Sequence, residues 1–287
     1  MSGQEIIKLE RKANWVRRQT LEMCVRANTG FLASAFSSVE ILVSLYYGGI
    51  LRVDPENPLW PERDRFIMSK GHAISLYPIL ADQGFFPLHN LETFCQENCI
   101  LGAIAENNIP GTEVVAGSLG HGLGLGSGMA LAAKMNKEQY MTVVLLGDGE
   151  CQEGSVWEAA MFAGHHQLNN LVAIVDRNFL GVTDFTENFL RLNPFAEKWQ
   201  SFSWDATVID GHSFPDILQA LANFRSRKSE KPLVLIAQTT KGKGLSFMEN
   251  IPLWHATSVS GKYISLAREE LQQKENELNR GSDHENC

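Results

Sequence analysis

The segment from Thr142 to Leu180, TVVLLGDGECQEGSVWEAAMFAGHHQLNNLVAIVDRNFL, restricts what this chain can fold into more than any other stretch. An apolar run, Val143 to Leu146, breaks at Gly147-Asp148-Gly149. An amphipathic stretch follows, and a second apolar run, Leu171 to Val175, ends in Asp176-Arg177-Asn178. The pattern reads as strand, loop, helix, strand, with a carboxylate at one strand tip and an amide just past the next. In a parallel sheet two such tips lie side by side at the carboxyl edge, where ligands bind. A carboxylate, an amide oxygen and free backbone carbonyls suit a hard divalent cation, and Mg2+ so placed usually also holds phosphate oxygens.

The rest of the chain repeats the alternation. Helical periodicity runs from about Gln4 to Ala27, and Ser37-Ser38-Val39-Glu40 has the form of a capping box opening a second helix through Tyr47. Arg65 to Ser69 reads as a strand, Lys70-Gly71-His72 as the start of a helix, and the glycine-rich run Gly117 to Gly128 as the entry to a helix through Lys134. A helix near Pro194 to Trp199, a strand near Ala206 to Ile209, a helix from Phe214 to Phe224 and a strand from Leu233 to Gln238 follow. Apolar strands alternating with helices predict an α/β fold, a parallel sheet with helices on both faces. No linker or composition break divides the 287 residues, so a single domain is expected, with a closing polar helix from about residue 262 and a tail fraying from Asn279.

Composition excludes several function classes. A net charge of −8 with interspersed acids and bases argues against a nucleic-acid groove. It also predicts that any phosphate group is held through a metal and backbone N–H groups rather than by a basic patch. No apolar run reaches membrane-spanning length, and the N-terminal stretch is too charged for a signal peptide. Five scattered cysteines, of which Cys95 and Cys99 are spaced to share a helix face, lack the partners of a zinc site and read as reduced thiols of a cytoplasmic protein. The glycine run fits neither the dinucleotide fingerprint nor a P-loop. Its bare helical faces, Gly120-Gly124-Gly128 and Gly122-Gly126, predict close packing at a subunit interface.

The GDG, the spacer of just under thirty residues and the Asn resemble the thiamine-diphosphate signature. The resemblance extends through RDRFIMSKGH, PGTEVVAGSLGHGLGLGSGMALAAK, VIDGHS and TTKGKGLSFMEN…WH, in the order found in the amino-terminal domain of transketolases, from roughly Ala13 to His255. It implies a pyrophosphate-binding domain of the thiamine-diphosphate-binding fold. Asp148, Asn178 and the Leu180 carbonyl would hold Mg2+ (or Ca2+ or Mn2+), with Gly149 and Glu150 of the same loop against the cofactor. His72 and His255 would approach the diphosphate, and Ser118, Leu119 and Gly120 the aminopyrimidine. Glu158, with Glu153, would join a proton-sharing network between paired active sites, so His72, Glu158 and His255 are the expected catalytic residues. His165 and His166 are read as packing or surface residues.

Chain length resembles that of a split transketolase. The resemblance therefore implies a separate C-terminal, pyrimidine-binding subunit that supplies the activating glutamate, in a two-plus-two heterotetramer. The implied reaction moves a short ketol or acyl unit from a small-molecule donor to an aldehyde. A decarboxylating carboligase using pyruvate or another 2-oxo acid, as in deoxyxylulose phosphate synthase, is the second reading, and a non-catalytic scaffold the third. Two departures bear on the donor: Phe31 and Ala103 stand where the family carries histidines. A site that leaves sugar hydroxyls unpaired loses about 1–3 kcal/mol for each, so the expected donor is smaller or less hydroxylated than a ketose phosphate.

Overall fold

The computed structural model describes residues 2–104, 109–115 and 118–284. Gly117 of the glycine-rich run and Cys287 lie outside them. The chain opens with α1 (Gly3–Ala27), started by a capping box in which Ser2 Oγ accepts from the Glu5 N–H and the Ser2 N–H donates to Glu5 Oε2. Short α2 (Leu32–Phe36) and α3 (Val39–Tyr47) are almost wholly buried. Next come β1 (Arg65–Met68), α4 (Leu76–Gln83), a 3-10 turn over Leu88–Thr93 and α5 (Gly122–Asn136). The signature segment forms β2 (Thr142–Gly147), α6 (Gly154–His165) and β3 (Leu171–Arg177). After it come α7 (Thr186–Phe189), α8 (Phe195–Ser201), β4 (Asp205–Asp210), α9 (Phe214–Ala222), β5 (Leu233–Gln238) and α10 (Lys262–His284).

The five strands among the described residues are all parallel, in the order β1-β2-β3-β5-β4. Successive residues of a strand face opposite sides, and here both sides are covered. Val143, Leu145, Val172, Ile174, Leu233 and Leu235 enter one core. Val144, Leu146, Ala173, Val175, Val234 and Ile236 enter the other. Each such side chain contributes about 1.5–3 kcal/mol when taken fully out of water, which is why the strands read as continuous apolar runs. On α5 the glycines divide by role. A Cβ on Gly126 would stand 2.5 Å from Val144 Cγ2, so the helix presses directly on β2, whereas Gly124 and Gly128 look into open space.

Four expectations need correction. The capping box at Ser37–Glu40 is not formed: Ser37 Oγ instead donates to Asp176 Oδ2 at 2.6 Å, and Glu40 is buried against Arg17, which donates to both its oxygens at 2.7 and 2.8 Å. No helix begins at Lys70; the chain turns through Lys70-Gly71-His72, and α4 starts at Leu76. The tail expected to fray from Asn279 is helical as far as His284, where the described residues end, and α10 is tied to α1 by Asn14 Nδ2 donating to the Leu271 carbonyl. Cys95 and Cys99 lie in an irregular turn rather than on a helix.

The Arg17–Glu40 pair joins α1 to α3, and His212 extends it. His212 Nε2 accepts from the Thr240 N–H at 2.8 Å, so the neutral ring carries its proton on Nδ1, 2.9 Å from Glu40 Oε2. Burial alone would raise the Glu40 carboxyl; Arg17 and His212 outweigh it and hold the group at about 2. A depressed carboxylate contributes stability above its ordinary value near 4.5 and loses it as pH falls through the folded-state value. Glu40→Gln leaves a buried guanidinium unpaired and is expected to cost about 3–5 kcal/mol at neutral pH. Urea unfolding from pH 7 downward should show the gap to wild type narrowing below pH 4.5; a constant gap would contradict the assignment.

Candidate active site

Four strand ends build the site. β1 runs into Ser69, Lys70 and His72, β2 into Asp148, β3 into Asn178, and β5 into Thr239 to Lys241. Between β3 and β5 the strand order stops following the chain, the place where open α/β sheets form a crevice. A cavity of about 250 Å3 opens there, lined by Lys70, His72, Leu119, Asp148, Asn178, Leu180, Lys241 and His255, among others. Larger grooves between α1 and α10 and beside Tyr140 hold no comparable convergence.

The floor is a buried ion pair. Asp176, on the central strand, accepts from Lys70 Nζ, from Ser37 Oγ and from Thr239 Oγ1. Burial opposes its ionisation, but Lys70 and the two hydroxyls keep the carboxyl below its usual range. Lys70 also donates to the Ser34 carbonyl at 2.6 Å and to Ser37 Oγ at 3.0 Å, so its charge is fully engaged.

Above this floor stand the oxygen donors. Asp148 Oδ1 accepts from the Gly149 N–H at 2.8 Å, and Oδ2 accepts from the Phe179 N–H at 2.6 Å and from Arg177 at 3.1 Å. Burial and Asp176 raise the Asp148 carboxyl to about 6 against the pull of Arg177. Asn178 Oδ1 accepts from the Leu180 N–H at 3.1 Å, and Lys241 Nζ lies 3.4 Å from the Leu180 carbonyl. Phe179 adopts φ 64, the left-handed turn that brings Asn178 and Leu180 to the same cavity wall.

Two imidazoles line one side of the cavity, and a phenyl ring packs near both. The Phe31 ring lies 5.4 Å from that of His72 and 6.2 Å from that of His255, and the two imidazoles are 5.7 Å apart. Phe31 itself sits at φ 70, where a bulky side chain is strained. Lys241 Nζ donates to His255 Nδ1 at 2.6 Å, which places the proton of the neutral ring on Nε2. Burial, then Lys241, lowers His255 to about 4. Burial, then Lys70 and His255, lowers His72 well below its usual value. Both rings are therefore neutral at physiological pH. Burial and Lys70 likewise lower Lys241, to about 8.

Glu150 holds the opposite wall. Its Oε1 accepts from Ser69 Oγ and from the Gly120 N–H (2.9 Å), and its Oε2 from the Gly147 N–H (3.0 Å). Gly120 turns at φ 83, and a Cβ there would stand 2.5 Å from Ser155 Oγ. The glycine turn before α5 is thus fastened to the ends of β1 and β2 by one carboxylate, whose pKa burial raises.

Of the residues expected from sequence, His72, Leu119, Asp148, Gly149, Glu150, Asn178, Leu180 and His255 line the cavity. Ser118, Gly120 and Glu158 do not. Ser118 is exposed beside His121, Gly120 lies behind the wall with its N–H on Glu150, and Glu158 is exposed on α6 near Met161 and Phe162. His165 is exposed and His166 half-buried, as expected. Sequence reasoning missed Lys70 and Lys241, both lining the cavity and at most 3% exposed. They add two basic side chains to a site expected to hold its ligand through a metal and backbone N–H groups rather than a basic patch; their signal was a lysine next to glycine directly after a strand, in SKGH and TTKGKG. Among the described residues no group of three or more His, Cys, Asp or Glu could hold a metal. The mixed set of one carboxylate, one amide and one carbonyl nonetheless suits Mg2+ with a diphosphate. Asp148 Oδ1 keeps a lone pair free, and the Oγ of Ser34, whose carbonyl accepts from Lys70, is buried without a hydrogen-bond partner.

Comparison with known proteins agrees with this geometry. Residues 9–279 match the transketolase thiamine diphosphate binding domain. One of the subunits of the apulose-4-phosphate transketolase of Phocaeicola vulgatus is 40% identical over 269 residues, 92% of this chain and 94% of that one. The 6-deoxy-6-sulfo-D-fructose transketolase subunit SqwG of a Clostridium species is 36% identical over 276 residues, 96% of this chain and 99% of that one. The crystal structure of Campylobacter jejuni transketolase superposes with a TM-score of 0.86 at 28% identity, covering 97% of this chain and 46% of that one. The chain belongs to the transketolase family and comprises its thiamine diphosphate-binding domain.

Glu150→Gln keeps one acceptor oxygen and turns an NH2 toward backbone or hydroxyl donors. It is expected to destabilise the protein by about 1–3 kcal/mol, the cost of a buried group left unsatisfied, measured by chemical denaturation. An unchanged midpoint would show that the carboxylate does not hold the Gly120 turn.

Proposed function

We propose that this chain is the cofactor-anchoring N-terminal subunit of a two-component transketolase, and that Asp148, Asn178 and the Leu180 carbonyl hold Mg2+, with Ca2+ or Mn2+ as substitutes. The observation that carries the reading is the meeting of these three residues with His72, His255 and Lys241 in one cavity. Thiamine diphosphate, when bound, supplies the nucleophilic carbon that lets a C–C bond be broken and remade. The protein's part is to bind, orient and exclude water. Lys241 and the two neutral imidazoles donate toward the diphosphate, with His255 offering its Nε2–H. Leu119 and the Glu150-held glycine turn take the other end of the cofactor.

A ketol unit passes from a ketose donor to an aldehyde acceptor. Both split-enzyme relatives are named for ketoses carrying an anionic group, which favours ketol transfer over decarboxylation of a 2-oxo acid. The retained Asp148, Asn178, His72 and His255 speak against a non-catalytic scaffold. Because the Phe31 ring caps His72 and His255, the donor has fewer hydroxyls to satisfy on that side.

The activating glutamate comes from a separate C-terminal, pyrimidine-binding subunit, so this chain anchors the cofactor without turning over alone. A second copy packs on the α5–α6 face, where Leu125, Met161 and Phe162 are 44%, 57% and 40% exposed beside the bare Gly124 and Gly128. That pairing also brings in Glu158 and completes a two-plus-two heterotetramer. No helix among the described residues is long and apolar enough to cross a membrane, and the four free cysteines among them agree with a cytoplasmic setting.

Asp148→Ala should abolish metal-dependent binding of thiamine diphosphate, read by fluorescence titration, and cost about 1–3 kcal/mol of stability because Arg177 and two backbone N–H groups lose an acceptor. Normal affinity would refute the ligand assignment. With the partner subunit present, Phe31→His should lower kcat/KM for the native donor by roughly tenfold, the scale of one unpaired buried polar group. A gain with that donor would show that the phenyl ring plays no part in donor choice.

A further inference from the structure

A fixed cation stands beside the place assigned to the metal. Arg177, at the end of β3, is 2% exposed. One guanidinium nitrogen donates to Asp148 Oδ2 at 3.1 Å and to Thr186 Oγ1 at 2.7 Å, and the other to Glu187 Oε1 at 2.6 Å. The group lies over the Phe179 ring, 4.3 Å from its centroid, and 5.4 Å from that of Phe195. Nothing in the reaction requires a positive charge there, and its repulsion opposes a second cation on the same carboxylate.

We propose that Arg177 is the resident counter-ion of Asp148 and sets how tightly the cavity takes a divalent cation. A buried carboxylate without a partner is costly, and Arg177 removes that cost in the metal-free protein. An arriving ion finds a lone pair on Asp148 Oδ1 but shares the carboxylate with the guanidinium. Binding of the metal and the Arg177–Asp148 contact are thus antagonistic, each weakening the other. Glu187 and Thr186 are the alternative partners. Glu187, with 29% of its side chain exposed, draws the guanidinium outward and so relieves the antagonism. Arg177 is a positioning residue here, acting on the metal through Asp148.

The inference rests on the metal-ligand assignment above, and the experiment separates the two. The full chain is titrated with Mn2+ in saturating thiamine diphosphate, with free Mn2+ read by its EPR signal. Arg177→Gln keeps a hydrogen-bond donor but removes the charge, and is expected to tighten Mn2+ binding by about tenfold, the effect of one modest charge–charge interaction. Glu187→Gln is expected to weaken it by roughly threefold, because the guanidinium then leans on Asp148 alone. Arg177→Lys keeps the charge and should stay within about twofold of wild type. A merely structural role would weaken binding in both Gln variants or leave it unchanged, and either result overturns the proposal. Should Arg177→Gln fail to fold, Glu187→Gln decides alone, since unchanged or tighter binding there is contrary. Equal Mn2+ affinity in wild type and Asp148→Ala would instead remove the site assignment itself.

Discussion

The contact between Lys70 and Asp176 is the one on which the remaining site geometry depends. Asp176 lies on the central strand, level with Gly147 of β2 and Ala237 of β5. Its carboxylate gathers Lys70 from the end of β1, Ser37 from the turn between α2 and α3, and Thr239 from the end of β5. A charge buried this deeply persists only when every lone pair has a donor. That requirement locks three strand ends and the α2–α3 turn into a single arrangement. The residues a step or two further along each strand, His72, Asn178 and Lys241, inherit their positions from it.

Charge around the cavity is balanced rather than acidic like the molecule as a whole, with Lys70 and Lys241 lining it beside Asp148 and Glu150. The chain carries a net charge of −8, yet Lys70, Arg177 and Lys241 are concentrated at this sheet edge. Two of them are matched by buried carboxylates, Asp176 and Asp148. Lys241 is matched by no acid among its hydrogen-bond partners in the described residues, which are His255 and the carbonyls of Leu180 and Gly181. Its charge is thus available to an anionic ligand, while the two histidines, kept neutral by burial and by these lysines, remain donors. Such an arrangement suits a compact anion without a broad basic surface that would attract polyanions.

Exposed apolar side chains gather in two places that matter here. Leu125, Met161 and Phe162 share the outer face of α5 and α6, and Leu119, Val182 and Phe189 line the cavity. The chain spans 46% of the Campylobacter jejuni transketolase chain.

Strand periodicity and the tips of β2 and β3 were legible in the residues alone, because an apolar run that ends in Gly-Asp-Gly or Asp-Arg-Asn has few physical alternatives. Asp148 and Asn178 were legible from their places at strand tips, whereas Leu180, His72 and His255 came from the resemblance to transketolases; all five line the cavity. What local pattern could not disclose was long-range pairing. Ser37 and Glu40 had the spacing of a helix cap, but a buried aspartate and a buried arginine claimed them, since satisfying a charge in the core outweighs capping a helix that is already packed. Lys70, Lys241 and Arg177 looked like ordinary lysines and a strand-end arginine until the sheet brought their charges within hydrogen-bonding distance of residues distant in sequence. Amino-acid order was thus sufficient for the parallel sheet and for the strand tips that carry Asp148 and Asn178, which follow from short-range periodicity. Folding alone chose the counter-ions, protonation states and wall of the cavity, because these depend on which separate segments converge where water is excluded.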